Sequence, residues 1–175
     1  IRYSNDIYKI IEFLHVKPGK GPAFVRTKLK SVSTGKVIDN TFTAGHKIDD
    51  VRVENRKYQF LYKDGETYHF MNNEDYNQIE VNKTLIDSDS FLKEGLNVTI
   101  IINAEDYSIL TVEMPQNVIL EVVSSEPGVK GNTATNATKT AKIETGATIN
   151  VPLFINEGDL IKIDTENKIY LERVK

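Results

Sequence analysis

Apolar residues along this chain recur mostly at every second position, and stretches with the 3.6-residue spacing of an amphipathic helix are scarce. In residues 23–32, Val25, Thr27 and Leu29 alternate with Arg26, Lys28 and Lys30, which predicts a strand with one packed face and one cationic face. Residues 7–16 supply a second strand, and Lys17-Pro18-Gly19-Lys20-Gly21-Pro22 joins the two. The pattern restarts at 51–55 after a loop containing Gly45. Aromatic runs at 58–62 and 67–71 then flank Lys63-Asp64-Gly65-Glu66, and Asp-Gly in that setting is a strong hairpin signal. Further strands are expected at 98–102, 109–112, 118–123, 149–155, 160–163 and 169–171, with turns at 103–106 and 156–159. Short helical turns are expected at 72–78 and 87–94. Residues 128–142 are poor in large apolar side chains and rich in Thr, Ala and Asn, so they are expected to form an exposed loop. The whole reads as all-β. Each third has its own strands and turns, and Met114-Pro115 punctuates the last boundary, so three small barrels at 1–50, 51–114 and 115–175 fit better than one sandwich.

Composition removes several classes of function. Hydrophobic residues at 39% and charged residues at 27% suit a folded chain. With no Cys, disulfides, zinc–thiolate sites and thiol nucleophiles are excluded. No apolar run approaches a membrane span and nothing resembles a signal sequence, so no membrane association and a cytoplasmic location are expected. The net charge of −3 hides an asymmetry: residues 1–50 carry 9 Lys and Arg against 5 Asp and Glu, residues 51–114 carry 6 against 12, and residues 115–175 carry 7 against 8. A basic first third beside an acidic middle makes nucleic acid a candidate partner.

No catalytic constellation stands out. His15, His46 and His69 lack metal-ligand spacing, and neither a Gly-x-Ser-x-Gly elbow nor a His-Glu-x-x-His pair is present. Gly19-Lys20-Gly21 lacks the spacing, the following Ser or Thr and the helix of a phosphate-binding loop. The expectation is a protein that is not an enzyme, with no cofactor and no metal. The Asn-x-Thr triplets at Asn82, Asn97 and Asn136 carry no meaning without secretion.

The loop at 17–22 reads in two ways. Gly and Pro are ordinary turn formers, so it can be a plain hairpin connection. Its near symmetry, Pro-Gly-Lys-Gly-Pro, also strips side-chain bulk from both sides of Lys20 while prolines stiffen the stems, which presents one lysine alone at a tip. Lys17, Arg26, Lys28 and Lys30 around the stem suit entry into an RNA-lined cavity.

The run from Phe13 to Arg26 around that loop resembles the hallmark hairpin of bacterial elongation factor P. Two further motifs agree in order along the chain: Tyr62-Lys63-Asp64-Gly65-Glu66 with His69-Phe70-Met71-Asn72-Asn73-Glu74, and Lys139-x-Ala141-x4-Gly146-x2-Ile149-x-Val151-Pro152-x2-Ile155-x2-Gly158. The resemblance implies an SH3-like (KOW-type) barrel followed by two OB-fold barrels. It implies a translation elongation factor that binds the ribosome between the P and E sites, positions P-site peptidyl-tRNA and stimulates peptide-bond formation at consecutive prolines. Lys20 becomes the functional tip, open to covalent modification by a lysine-modifying enzyme, within a loop of Pro18, Gly19, Gly21 and Pro22. Lys17, Arg26, Lys28 and Lys30 become tRNA or rRNA contacts. Gly131, Asn132, Thr133 and Ala134 are expected near the E-site mRNA codon, with Tyr170 and Arg173 supporting contacts on the small-subunit side and a monomer as the working form. The resemblance also implies another strand and turn before Ile7, and Tyr3-Ser4-Asn5-Asp6 looks like the family's start, so either the chain is truly shortened between Asp6 and Ile7 or residues are missing there. The second is favoured, because a lost strand would leave the first barrel with an open edge. The rival is a general OB-fold RNA-binding or assembly protein without a role in elongation. A related factor that shares the fold but lacks the lysine tip is opposed by Lys20 itself.

Overall fold

A computed structural model describes residues 1–126 and 137–174. The strands fall into three antiparallel sheets that follow one another along the chain. In the first, β1 (Arg2–Tyr3), β2 (Asp6–Val16), β3 (Phe24–Ser31) and β4 (Val37–Thr43) lie in the order β1-β2-β3-β4. Ser4 and Asn5 sit at φ 48° and 63° between β1 and β2, the paired positive dihedrals of a two-residue hairpin turn. This corrects the expected gap between Asp6 and Ile7. Tyr3 pairs with Asp6 and Arg2 with Ile7 across that turn, and Asp6 and Ile7 run on as one strand. What looked like a family start is a hairpin. Beyond Ile7 that edge of β2 has no neighbouring strand among the described residues. The core beneath is small: Leu29, Phe42, Thr27 and Ser31 are buried, and Tyr3 sets its ring edge-on to Tyr8 and Phe42.

The second sheet holds β5 (Val53–Asp64), β6 (Thr67–Asn72), β7 (Gln78–Asn82), β8 (Asn97–Asn103) and β9 (Ile109–Glu113), ordered β7-β6-β5-β8-β9. Its inward positions, Tyr58, Phe60, Tyr68, Phe70, Val98 and Ile100, form one buried cluster. Gly65, at φ 59°, is the first of the two residues turning β5 into β6. The helical turn expected at 72–78 does not form. The Asn72 side chain accepts from the Glu74 amide, Tyr76 adopts φ 60°, and the chain enters β7 instead. The expectation at 87–94 yields one 3-10 turn, Asp89–Phe91, and a second, Lys83–Leu85, is capped by the Asn82 side chain.

The third sheet orders β12 (Thr148–Pro152), β11 (Thr138–Ile143), β10 (Asn117–Ser125), β13 (Leu160–Asp164) and β14 (Ile169–Val174) side by side. Residues 138–142, expected as loop, are strand: β11 pairs with β10 on one side and β12 on the other, with Ala141 and Ile143 fully buried. A small residue suffices there because neighbouring Val and Ile fill the space.

The three units are joined differently. Phe91, from the 3-10 turn of the second unit, is buried in the core of the third, and Leu96 and Met114 pack against both cores. Ser88 donates to the Thr165 carbonyl at 2.7 Å and Thr145 to that of Ser90 at 2.7 Å. Tyr68 donates to Asp89, which ties β6 to the same turn, and burial followed by that carboxylate pushes the Tyr68 hydroxyl well above its usual value. Neither buried cluster contains a residue from 1–50.

Candidate nucleic-acid interface

The hairpin is built by β2 and β3, which stay paired from Tyr8 opposite Ser31 to Val16 opposite Phe24, across one bulge at Ile11, and leave residues 17–23 as the connecting loop. Lys17, Pro18, Gly19, Lys20, Gly21 and Pro22 are all exposed. The two glycines differ. A side chain at Gly19 would meet nothing within 4 Å, whereas Gly21 sits at φ 107°, where any Cβ is strained whatever the space. Glycine is demanded on one side of Lys20 and tolerated on the other.

The predicted cationic face is present, since Arg26, Lys28 and Lys30 point away from buried Thr27, Leu29 and Ser31. Its cations are not equivalent. Lys28 pairs with Glu12 at 2.6 Å, and that hydrogen bond and charge raise its pKa. Lys30 pairs with Asp87 of the second unit. Among the described residues no carboxylate pairs with Lys17, Lys20 or Arg26, and the Arg26 guanidinium lies over the Phe24 ring at 5.6 Å. A shallow groove of about 410 Å³ follows this face, lined by Glu12, Leu14, Arg26, Lys28, Asp39 and Thr41.

Tyr170 and Arg173 stand on a different sheet from the hairpin. Tyr170 is half-buried against the third core, while Arg173 is exposed, lies 3.7 Å from Asp159 and covers the Phe154 ring at 5.6 Å. Gly131, Asn132, Thr133 and Ala134 lie outside the described residues. Two features escaped the sequence reading. Phe13 and Leu14 are 73% and 59% exposed on the hairpin arm, signalled only by an apolar pair that breaks the alternation of β2. The Tyr62 and His69 rings stack at 4.3 Å on the outer face of the second sheet, a pairing set by a bulge at Leu61 that no sequence pattern announces. Among the described residues no cluster of His, Asp and Glu could hold a metal ion.

Three family models cover the chain in succession: the elongation factor P KOW-like domain at residues 1–48, the elongation factor P OB domain at 53–109, and the elongation factor P C-terminal region at 118–173. Elongation factor P of Christiangramia forsetii is 67% identical over 175 residues, which covers 100% of this chain and 93% of that protein. The Flavobacterium psychrophilum protein of the same description is 65% identical, with 100% and 94% covered, and that of Caldicellulosiruptor saccharolyticus is 53% identical, with 99% and 94% covered. A solved eukaryotic translation initiation factor 5A from Methanococcus jannaschii overlaps 62% of this chain and 81% of that one at 22% identity with a TM-score of 0.46, too slight a likeness to add to these matches. An all-β chain with an SH3-like barrel and OB barrels, matched in this way along its whole length, is a translation elongation factor. It belongs to the elongation factor P family.

Proposed function

We propose that the protein binds the ribosome between the P and E sites, holds P-site peptidyl-tRNA and speeds peptide-bond formation at consecutive prolines. The observation that carries this reading is Lys20, exposed at the tip of a two-stranded hairpin and without a carboxylate partner among the described residues. Proline fixes one backbone dihedral and offers a hindered secondary amine, so the reacting groups align poorly. A factor that holds the tRNA in place raises the time spent aligned, and each 1.4 kcal/mol or so removed from the barrier is tenfold in rate. Such a factor is not an enzyme in its own right. It supplies a cation of the right reach, and no acid, base or nucleophile is asked of the hairpin.

Lys17 and Arg26 are the cations free to meet tRNA or rRNA phosphate directly. Lys28 and Lys30 meet it by exchanging Glu12 and Asp87 for phosphate. A covalent extension of Lys20 by a lysine-modifying enzyme lengthens the tip. Gly131 to Ala134 act at the E-site codon, and Tyr170 and Arg173 support contacts with the small subunit. The protein works as a cytoplasmic monomer in three units, 1–50, 51–114 and 115–175; no described helix is long and apolar enough to cross a membrane.

The test is Lys20→Ala, checked by ribosome profiling and by synthesis of a triproline reporter. Stability should stay within about 0.5 kcal/mol of the wild type, because an exposed tip has no packing to lose. Reporter synthesis should fall to the level without factor, and pauses should concentrate at proline runs. Equal synthesis by both proteins, or pauses spread over all codons, sinks this reading in favour of a general RNA-binding role.

A further inference from the structure

The opposed charges of the first and second units meet each other. Arg2 pairs with Glu105, Lys9 with Glu113 at 3.1 Å, and Lys30 with Asp87. Each cation comes from the first unit and each carboxylate from the second. This is the direction the net charges favour, since the first unit is basic and the second acidic. All six side chains keep solvent exposure, and no residue of the first unit enters either buried cluster. The covalent link is short. The Arg2 amide donates to the Asp49 carbonyl at 2.8 Å and the Ala104 amide to the Arg52 carbonyl at 2.9 Å, which leaves Asp50 and Val51 without a backbone hydrogen bond among the described residues. The second and third units, by contrast, share Phe91, Leu96 and Met114.

We propose that Glu105, Glu113 and Asp87 are positioning residues for the Lys20 hairpin, forming an ionic clasp that sets the direction of the first barrel against a second and third barrel fixed to each other. Exposed ion pairs are individually weak and are screened by salt, so the clasp opens and closes about Asp50 and Val51 under mild conditions. Lys30 belongs to both the clasp and the phosphate-facing strand. A polyanion that takes Lys30 from Asp87 therefore loosens the first barrel at the moment the hairpin engages. The link to tRNA positioning rests on the function proposed above, whereas the clasp itself does not.

The chain contains no Cys, so spin labels at Lys36→Cys and Glu157→Cys, both exposed, report the distance between the first and third units in the full-length protein by double electron–electron resonance. A narrow distribution is expected at about 0.05 M NaCl, broadening at about 1 M, where the screening length falls to about 3 Å. Lys9→Glu should broaden it at low salt, and Lys9→Glu combined with Glu113→Lys should narrow it again. Triproline synthesis should follow, dropping roughly two- to five-fold with the single reversal and recovering with the exchange, the range expected for one exposed pair. A distribution indifferent to salt and to Lys9→Glu overturns the clasp. So does one that the exchange fails to narrow. A wild-type protein without effect on triproline synthesis overturns the proposed function instead, and the distances still decide the clasp.

Discussion

At the level of single residues, the two glycines beside Lys20 look alike in the sequence and differ in the structure. Gly21 holds φ 107°, a region in which an L-residue costs about 1–3 kcal/mol, while Gly19 has a dihedral that alanine can adopt and open space around it. Gly19→Ala should therefore keep both stability and triproline synthesis close to wild type. Gly21→Ala should force the loop into another path and slow synthesis several-fold with little change in thermal midpoint, because the strain relaxes in an exposed loop. Comparable rates for the two variants would show that the tip's path does not matter. Lys20, Pro18 and Pro22 were legible as a presented lysine because the motif is local and symmetric. The pairings of Lys28 with Glu12 and Lys30 with Asp87 were not, since they join residues 16 and 57 positions apart and depend on register and on how two units meet.

At the level of elements, alternation predicts most of the strands and fails where a different force decides. Tertiary packing overrides composition at β11: its Thr, Lys and Ala look loop-like, but β10 and β12 flank it and bury Ala141. Turn chemistry overrides the helical reading at 72–78, where Asn72 and Tyr76 close a connection into β7. Ser4-Asn5 shows the same effect, a tight hairpin read from sequence as a break in the chain. The β2–β3 hairpin was legible in full, together with its cationic face, and its use of charge is open to measurement. Neutralising Lys17 and Arg26, which have no carboxylate partners among the described residues, should lower the salt slope of ribosome binding by roughly two, about one for each phosphate that is no longer neutralised. Lys28→Ala should change the slope by less than either, because Glu12 already compensates that charge and is released when lysine turns to phosphate. Equal changes for all three cations would mean that the Lys28–Glu12 pair does not persist in solution.

For the whole molecule, the sequence divides the chain into thirds, whereas the packing divides it into one barrel and a fused pair. Phe91 is the reason. It lies in a 3-10 turn of the second unit, yet it is 3% exposed and belongs to the same buried cluster as Leu120, Ile143 and Ile161 of the third. Nothing in the pattern around Ser88-Asp89-Ser90-Phe91 indicates which core the ring enters, because a single apolar residue in a short turn has no period to read. The turn itself is held from both directions: Tyr68 binds Asp89 from the second unit, and Thr145 and the Thr165 carbonyl hold Ser90 and Ser88 from the third. A shared core makes the second and third units unfold together, and a join through exposed ion pairs lets the first unfold by itself. Calorimetry of the wild type should thus show two transitions, with the larger one belonging to the fused pair. Phe91→Ala removes a buried ring and should cost about 3–5 kcal/mol. It should also split the larger transition, since Leu96 and Met114 alone bridge the two cores less completely. The first unit's transition should not move, because none of its residues belongs to that core. A larger transition that stays single after Phe91→Ala, with a loss below about 1 kcal/mol, would mean that the ring is not what couples the two barrels.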